Sequence, residues 1–284
     1  MNSTKKYNFI AGLPRSGSTL LSTILNQNPK FTSGISDPLF NFVKSKIHSV
    51  NATIGMSSLV SDDRLYDLMR ADFDSFYKDD TEVCFNTARS WASETYLLKK
   101  LYPDFKMIIT FRSIPWILDS FERLHRKNPL KIKPLYNHED LPSVYDRCSV
   151  LMGQYPDKTA HLKPCLDFLK QAAACAERDN ILFVEYEALA SHPKEVMQHI
   201  YEFLEEEWYD HDFNNTEASY DNYDTDAKIE GLHKVRKKVE LLQRETILPK
   251  ELFDAYEGAN FWKQENSDLS RCKFIQAEKS EGNV

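Results

Sequence analysis

Long apolar runs are missing from this chain. Stretches such as 9–13, 107–111 and 181–184 reach about five residues, against the roughly eighteen to twenty that a membrane-crossing helix needs. No membrane span is therefore expected. Lys5 and Lys6 stand before an apolar stretch in the manner of a signal peptide, but Pro14 and Arg15 cut that stretch short, so no export signal is expected. Cysteine is sparse and odd in number: five residues, none in a CxxC pair. That pattern excludes a zinc ribbon and a secreted disulfide framework, and points to a reducing cytoplasm. Net positive charge is lacking as well. At −7, the chain cannot offer the general basic field that binds nucleic acid or an anionic membrane. Any polyanionic ligand must be met by cations gathered locally.

What is present is ample core material, with 42% hydrophobic and 12% aromatic residues, enough for one domain. Four short runs rich in β-branched or aromatic residues (7–11, 83–86, 107–111 and 181–186) read as buried strands. Helix-like segments follow each of them, at 18–26, 90–101, 115–125 and 193–206. Pro115 and Pro193 fall where a first helical turn accepts proline. Strand and helix in alternation imply crossovers and a mostly parallel sheet covered on both faces. The expected fold is α/β: a three-layer, P-loop-like arrangement with a central, mostly parallel sheet flanked by helices. One domain over 1–263 is expected, with a helical insertion at 128–180 and a polar C-terminal tail at 264–284. Between 205 and 226 there are nine acidic residues and no Lys or Arg, and then Lys228, Lys234, Arg236, Lys237 and Lys238 follow closely. The simplest reading of that reversal is a solvated loop leading into a solvated helix.

The chemistry is concentrated in Gly12-Leu13-Pro14-Arg15-Ser16-Gly17-Ser18-Thr19, which leaves the first strand and opens the first helix. Backbone N–H groups at a helix N-terminus, with glycines allowing close approach, form an anion site. The G-x4-G spacing is that of a Walker A loop, yet Ser18 stands where the lysine belongs. That lysine reaches the terminal phosphates of a magnesium-bound triphosphate, so its absence disfavours ATP or GTP hydrolysis. The cation sits inside the loop instead, as Arg15, whose planar fork suits a tetrahedral oxyanion.

In this setting PRSGSTLLSTIL resembles the 5'-phosphosulfate loop of the sulfotransferases that use 3'-phosphoadenosine 5'-phosphosulfate (PAPS). Arg112 and Ser120, in ITFRSIPWILDSFERL, resemble the arginine and serine with which that family holds the donor's 3'-phosphate. A third patch, VEYEALASHPKEVMQHIYEFL, is similar to a strand and helix of the tyrosylprotein and bacterial sulfotransferases. By that match Tyr186 lies near the adenosine bisphosphate product, or else completes the core at a strand end. The resemblance implies an enzyme that transfers a sulfuryl group from PAPS to a hydroxyl acceptor by in-line displacement, with no metal ion. It implies that Pro14, Arg15, Ser16, Gly17, Ser18 and Thr19 cradle the donor. The acceptor is a small molecule, a glycan or a peptide tyrosine, and a homodimer is left open. The acidic stretch with Tyr209, Tyr220 and Tyr223 reads as a sulfation target, a substrate-facing lid or solvated surface. A P-loop kinase that has lost its lysine and a noncatalytic nucleotide-binding protein are the alternatives.

The chain also departs from the pattern. Cytosolic sulfotransferases end their second strand in Lys-Thr-His, with the histidine as base; here the segment is Asn86-Thr87-Ala88-Arg89. Tyrosylprotein enzymes use a glutamate after the first helix, where this chain has Gly34-Ile35-Ser36-Asp37. Asp37 is the expected base or else a turn residue before Pro38, and Ser36 can orient the acceptor. Arg89 is expected to stabilise charge on the bridging oxygen, or to be an exposed helix-start residue. The family's C-terminal Arg-Lys-Gly lid is missing, and His233, Lys234 and Arg236 are the nearest cationic substitute.

Overall fold

One six-stranded sheet organises the chain, in the order β2-β3-β1-β4-β5-β6, with every neighbouring pair parallel. The strands are β1 (Lys6–Gly12), β2 (Phe31–Ser33), β3 (Val83–Thr87), β4 (Met107–Phe111), β5 (Ile181–Glu185) and β6 (Lys273–Ile275). A computed structural model describes residues 5–52, 54–138, 140–155, 161–216, 218, 224–225, 229–264 and 266–277. Helices α1 (Ser18–Leu25), α2 (Leu39–Asn51), α3 (Ile54–Ser57) and α4 (Asp62–Phe76) lie between β1 and β3. They are followed by α5 (Thr95–Leu101), α6 (Ile114–Lys127), α7 (Ile132–Tyr136), α8 (Val144–Leu151) and α9 (Leu162–Ala174). After β5 come α10 (Tyr186–Ser191), α11 (Pro193–Leu204) and α12 (Lys250–Glu257). Among the described residues no helix is long and apolar enough to cross a membrane.

The apolar runs behave as strands buried on both faces because alternate side chains enter different layers. Phe9, Ala11, Met107, Ile109, Phe111, Ile181 and Phe183 belong to one core with α2, α4, α6 and α9. Ile10, Val83, Phe85, Ile108, Leu182 and Val184 face the other, with α1 and α11. Each fully buried aliphatic or aromatic side chain contributes about 1.5–3 kcal/mol of transfer free energy. The three-layer α/β arrangement expected from the sequence is thus the observed one. Pro115 and Pro193 do open α6 and α11.

Four features differ from the sequence reading. Edge strands β2 and β6 were not expected, since three-residue strands with polar or exposed side chains carry little hydrophobic signal. Helices α2 and α4, with buried Leu39, Val43, Met69 and Phe73, were missed among their many polar residues. The segment from residue 264, expected as a polar tail, supplies β6, and the Ala277 N–H donates to Glu185 Oε2 at 3.0 Å. Finally, residues 229–240 contain no helix and run as extended chain and turns. Within 128–180, α7, α8 and α9 join the main core. Arg147 holds Glu122 through two hydrogen bonds of 2.9 and 3.0 Å, fastening α8 to α6.

Candidate active site

The sheet places its reactive loops on one edge. Chain order reverses about β1, which has β3 on one side and β4 on the other. Ligands bind in the crevice outside the carboxyl ends of strands at such a switch point. The turns leaving β1, β3, β4 and β5 carry Gly12–Thr19, Arg89, Arg112 and Tyr186 respectively. All four turns contribute to one cavity of about 530 Å³.

Glycine is required at two points of the loop. A side chain at Gly12 would place its Cβ 2.0 Å from the Thr110 carbonyl oxygen, so β4 can pass only a glycine there. Gly17 has φ +93°, and a Cβ would stand 2.8 Å from Cδ2 of Tyr186. The Tyr186 ring therefore lies against the phosphate loop, and the Arg112 guanidinium stacks over it at 4.2 Å from the ring centroid. Arg15 takes a left-handed conformation, φ 60°, which turns its side chain along the cavity wall. Its Nε donates to Ser120 Oγ at 3.0 Å, and its Nη1 donates to the Leu232 carbonyl.

Of the residues expected to contact the donor, Pro14, Arg15, Gly17, Ser18, Thr19, Arg112, Ser120, Tyr186, His233 and Arg236 line the cavity. Ser16 is buried with its hydroxyl turned inward, bonded to the Leu13 carbonyl at 2.6 Å and to Thr110 Oγ1 at 2.8 Å. That side chain fastens the loop to β4, and only its backbone N–H remains for an anion. Ser18 and Thr19 begin α1, where N–H groups of the first turn lack intrahelical partners. Arg112 is also paired with Glu187, Nε to Oε1 at 3.0 Å. A single Nε contact leaves the outer face of the guanidinium for a second partner.

The electrostatics are strongly one-sided. Arg15, Arg89, Arg112, Lys234, Arg236 and Lys238 line the cavity, whereas Glu240 is its only acidic lining residue among those described. Burial, then the charges of Arg112 and Arg89, lower the Arg15 guanidinium to about 10. Like charges held together at that cost are stabilised by an anion between them. From the sequence, 234–238 was expected as part of a solvated helix, with Lys234 and Arg236 beside His233 as the nearest cationic substitute for the missing lid. In the structure this segment is an extended strap, fixed by a bridge from Val235 to Ala218 and by Thr216 on the Lys237 carbonyl at 2.7 Å. Lys234, Arg236 and Lys238 of this strap line the cavity, as do Val235 and Val239 between and after them.

Asp37, expected to take the acceptor's proton, does not line the cavity. Its Oδ2 accepts from the Thr87 N–H at 2.7 Å and from the Tyr77 hydroxyl at 3.3 Å. A buried relay continues from it: Asn86 Nδ2 donates to the Tyr77 oxygen at 2.9 Å, and Trp91 Nε1 donates to Asn86 Oδ1 at 2.7 Å. Asp37 thus anchors the loop before α2 to the end of β3, and burial raises its pKa. Ser36 is exposed and likewise outside the lining, although its neighbour Ile35 reaches it. Arg89 is exposed at the start of a short 3₁₀ turn (Arg89–Ser93) and lines the cavity. Tyr209 packs against His211, away from the lining, while Tyr220 and Tyr223 lie outside the described residues.

Two cavity features escaped the sequence reading. His161, at the entry to α9, is a lining residue. Asp224 Oδ1 lies 2.8 Å from Nδ1 of His233, and the His233 backbone N–H donates to Asp224 Oδ2 at 3.1 Å. Burial outweighs the carboxylate, and with Arg15 and Arg89 it holds this imidazole below the ordinary histidine range. His233 is thus neutral near pH 7, which counts against the cationic part expected of it.

A parallel α/β sheet with a glycine-bounded loop and a cation-lined cavity at its switch point defines the class: a P-loop-like α/β fold. Within that class, the chain belongs to the sulfotransferase family, whose model matches residues 9–210. Among solved structures it is similar to sulfotransferase STF9 from Mycobacterium avium, at 13% identity, covering 92% of this chain and 77% of that one with a TM-score of 0.49. It is also similar to the sulfotransferase domain of the Synechococcus PCC 7002 olefin synthase, at 18% identity over 94% and 93% of the chains, TM-score 0.42. A third is the sulfotransferase domain from the curacin biosynthetic pathway, at 16% identity over 72% and 75%, TM-score 0.48. No curated protein matches the chain.

Proposed function

We propose that the protein transfers a sulfuryl group from PAPS to a hydroxyl acceptor, releasing adenosine 3',5'-bisphosphate. The observation that carries this reading is the convergence of Arg15, Arg89 and Arg112 on one cavity beside the Gly12–Gly17 loop, in a chain whose net charge is −7. A cavity of about 530 Å³ is within the range for a nucleotide-sized ligand. The residues fit such a donor at both ends. Arg15 and the N–H groups of the loop and of the first turn of α1 bind the 5'-phosphosulfate. Arg112 and Ser120 hold the 3'-phosphate, and the Tyr186 ring lies between Gly17 and Arg112.

PAPS supplies the sulfuryl group and a phosphate leaving group. Arg15 and the loop N–H groups stabilise the negative charge that develops on that phosphate, a contribution of about 3–4 kcal/mol per well-placed donor. Arg89 adds charge from the turn that leaves the neighbouring strand β3 at the same edge of the sheet. The in-line geometry follows from holding donor and acceptor on one axis through the cavity. Support for PAPS over a triphosphate comes from Ser18 at the Walker lysine position. Thermal-shift titration checks the reading: adenosine 3',5'-bisphosphate should stabilise the protein strongly, and adenosine 5'-phosphate weakly. Preferential stabilisation by magnesium-ATP would replace it with a kinase-like function.

A further inference from the structure

The turn 229–233 is held from three directions. Arg15 donates to the carbonyl of Leu232. Asn128, at the end of α6, receives the Glu230 N–H at 3.0 Å and donates to the Glu230 carbonyl at 3.2 Å. The Ile229 N–H donates to the Asp224 carbonyl at 2.9 Å. The residue fixed by this clamp is His233, a lining residue of the same cavity as Arg15 and Arg89. Its ring is oriented by Asp224, which takes both the Nδ1 and the backbone N–H of His233 on one carboxylate.

We propose that His233 is the general base that accepts the acceptor's hydroxyl proton, with Asp224 as its positioning residue. The inference rests on the sulfuryl-transfer reading. A carboxylate on Nδ1 selects the tautomer with the proton on that nitrogen and the lone pair on Nε2. In the transfer step the acceptor oxygen forms a bond to sulfur, and its proton passes to Nε2. The bond between sulfur and the 5'-phosphate oxygen breaks, and its electron pair stays on the phosphate beside Arg15. The tether from Arg15 to Leu232 gives the same arginine two tasks: binding the leaving phosphate and fixing the base one residue further on. Asp224, Arg15 and Arg89 are the charged groups that act on the imidazole. Burial, with a smaller contribution from the two arginines, favours the neutral imidazole, the form that can receive a proton. Asp37, outside the cavity and bonded to Thr87, is not needed for this step.

The test uses the full chain with ¹⁵N-labelled histidine, the His233 signals being assigned by their loss in His233→Gln. At pH 7, with adenosine 3',5'-bisphosphate added, the expected state has Nδ1 protonated and Nε2 unprotonated. An imidazolium, or a proton on Nε2, overturns the proposal without any need for turnover. In kinetics, PAPS consumption is followed with water, phenol and 1-octanol as probe acceptors. His233→Gln should lower it roughly a hundredfold or more, with bisphosphate affinity kept within about threefold. A loss smaller than about tenfold counts against the base assignment. Asp224→Asn should move the acidic limb of the pH–rate profile to lower pH, because the carboxylate raises the imidazole pKa; an unmoved limb also overturns it. Failure of the wild-type protein to bind adenosine 3',5'-bisphosphate is a separate outcome and removes the donor reading itself.

Discussion

Arg15 Nε lies 3.0 Å from Ser120 Oγ, so the phosphate loop and the helix after β4 meet through one hydrogen bond. The two proposed ends of the donor site are thereby built as a unit. Arg15 is half-buried beside Arg112 and Arg89, and its burial and their charge lower its pKa to about 10. Arg15→Ala should therefore leave the melting temperature unchanged or raise it, while bisphosphate affinity falls roughly a hundredfold. Calorimetry and thermal unfolding on the same sample decide this. A variant that unfolds but still binds would reverse the assignment.

Arg112→Ala should discriminate between ligands. Loss of one charge-assisted contact is worth roughly 1.5–3 kcal/mol, about ten- to a hundredfold in affinity. That loss is expected for adenosine 3',5'-bisphosphate and scarcely for adenosine 5'-phosphate. Because the substitution also deprives Glu187 of its ion-pair partner, Arg112→Ala/Glu187→Gln should restore stability without restoring the selectivity. Equal weakening toward both ligands would assign Arg112 a structural part alone.

Gly17→Ala tests the loop backbone directly. A Cβ there meets Tyr186 at 2.8 Å, and the position has φ +93°. Left-handed backbone costs a non-glycine residue about 1–2 kcal/mol, to which the displaced ring adds. Lower stability together with lost bisphosphate binding is the expected result. Gly17→Ala/Tyr186→Ala removes the collision but not the backbone strain, so denaturant unfolding should show partial recovery only. Full recovery would mean that φ is of no consequence.

Asp37→Asn separates anchoring from catalysis. The amide oxygen still accepts from the Thr87 N–H, so turnover should persist within about tenfold, whereas Asp37→Ala, which removes the acceptor, should lose about 1–3 kcal/mol of stability. Abolished turnover in a stably folded Asp37→Asn would return the base to this residue.

Glu185 is buried at the end of β5, and burial raises its carboxyl to about 7 from 4.5. A group whose folded pKa lies above its unfolded value favours folding when protonated. The associated stability is complete below about pH 4.5 and is lost as the pH rises through about 7. Glu185→Gln keeps an oxygen for the Ala277 N–H and escapes the titration. Relative to wild type it should gain roughly 2–3 kcal/mol between pH 5 and pH 8, an order-of-magnitude figure from the linkage relation. Urea unfolding at the two pH values measures it, and a pH-independent difference would exclude Glu185 as the titrating group.

The amino-acid sequence determined the sheet's inner strands, because 7–11, 107–111 and 181–184 are apolar on both faces and only a doubly covered sheet hides such segments. It also placed Gly12, Arg15 and Gly17 in local order in the loop after β1, while the resemblance to sulfotransferases marked Arg112, just after β4, and Ser120, in α6. Tertiary structure alone decided which of the remaining polar residues meet. Asp37 was expected as the base by resemblance to a glutamate after the first helix of the tyrosylprotein enzymes; the fold places its carboxylate against the Thr87 N–H and the Tyr77 hydroxyl, outside the cavity lining. His233 and Asp224 are nine positions apart, with no periodicity to pair them. Leu232 is bonded to Arg15 across more than two hundred residues, a contact that arises only when the returning chain crosses the mouth of the sheet. Local pattern is read from nearest neighbours, but the shape and charge of a cavity come from segments brought together by core burial.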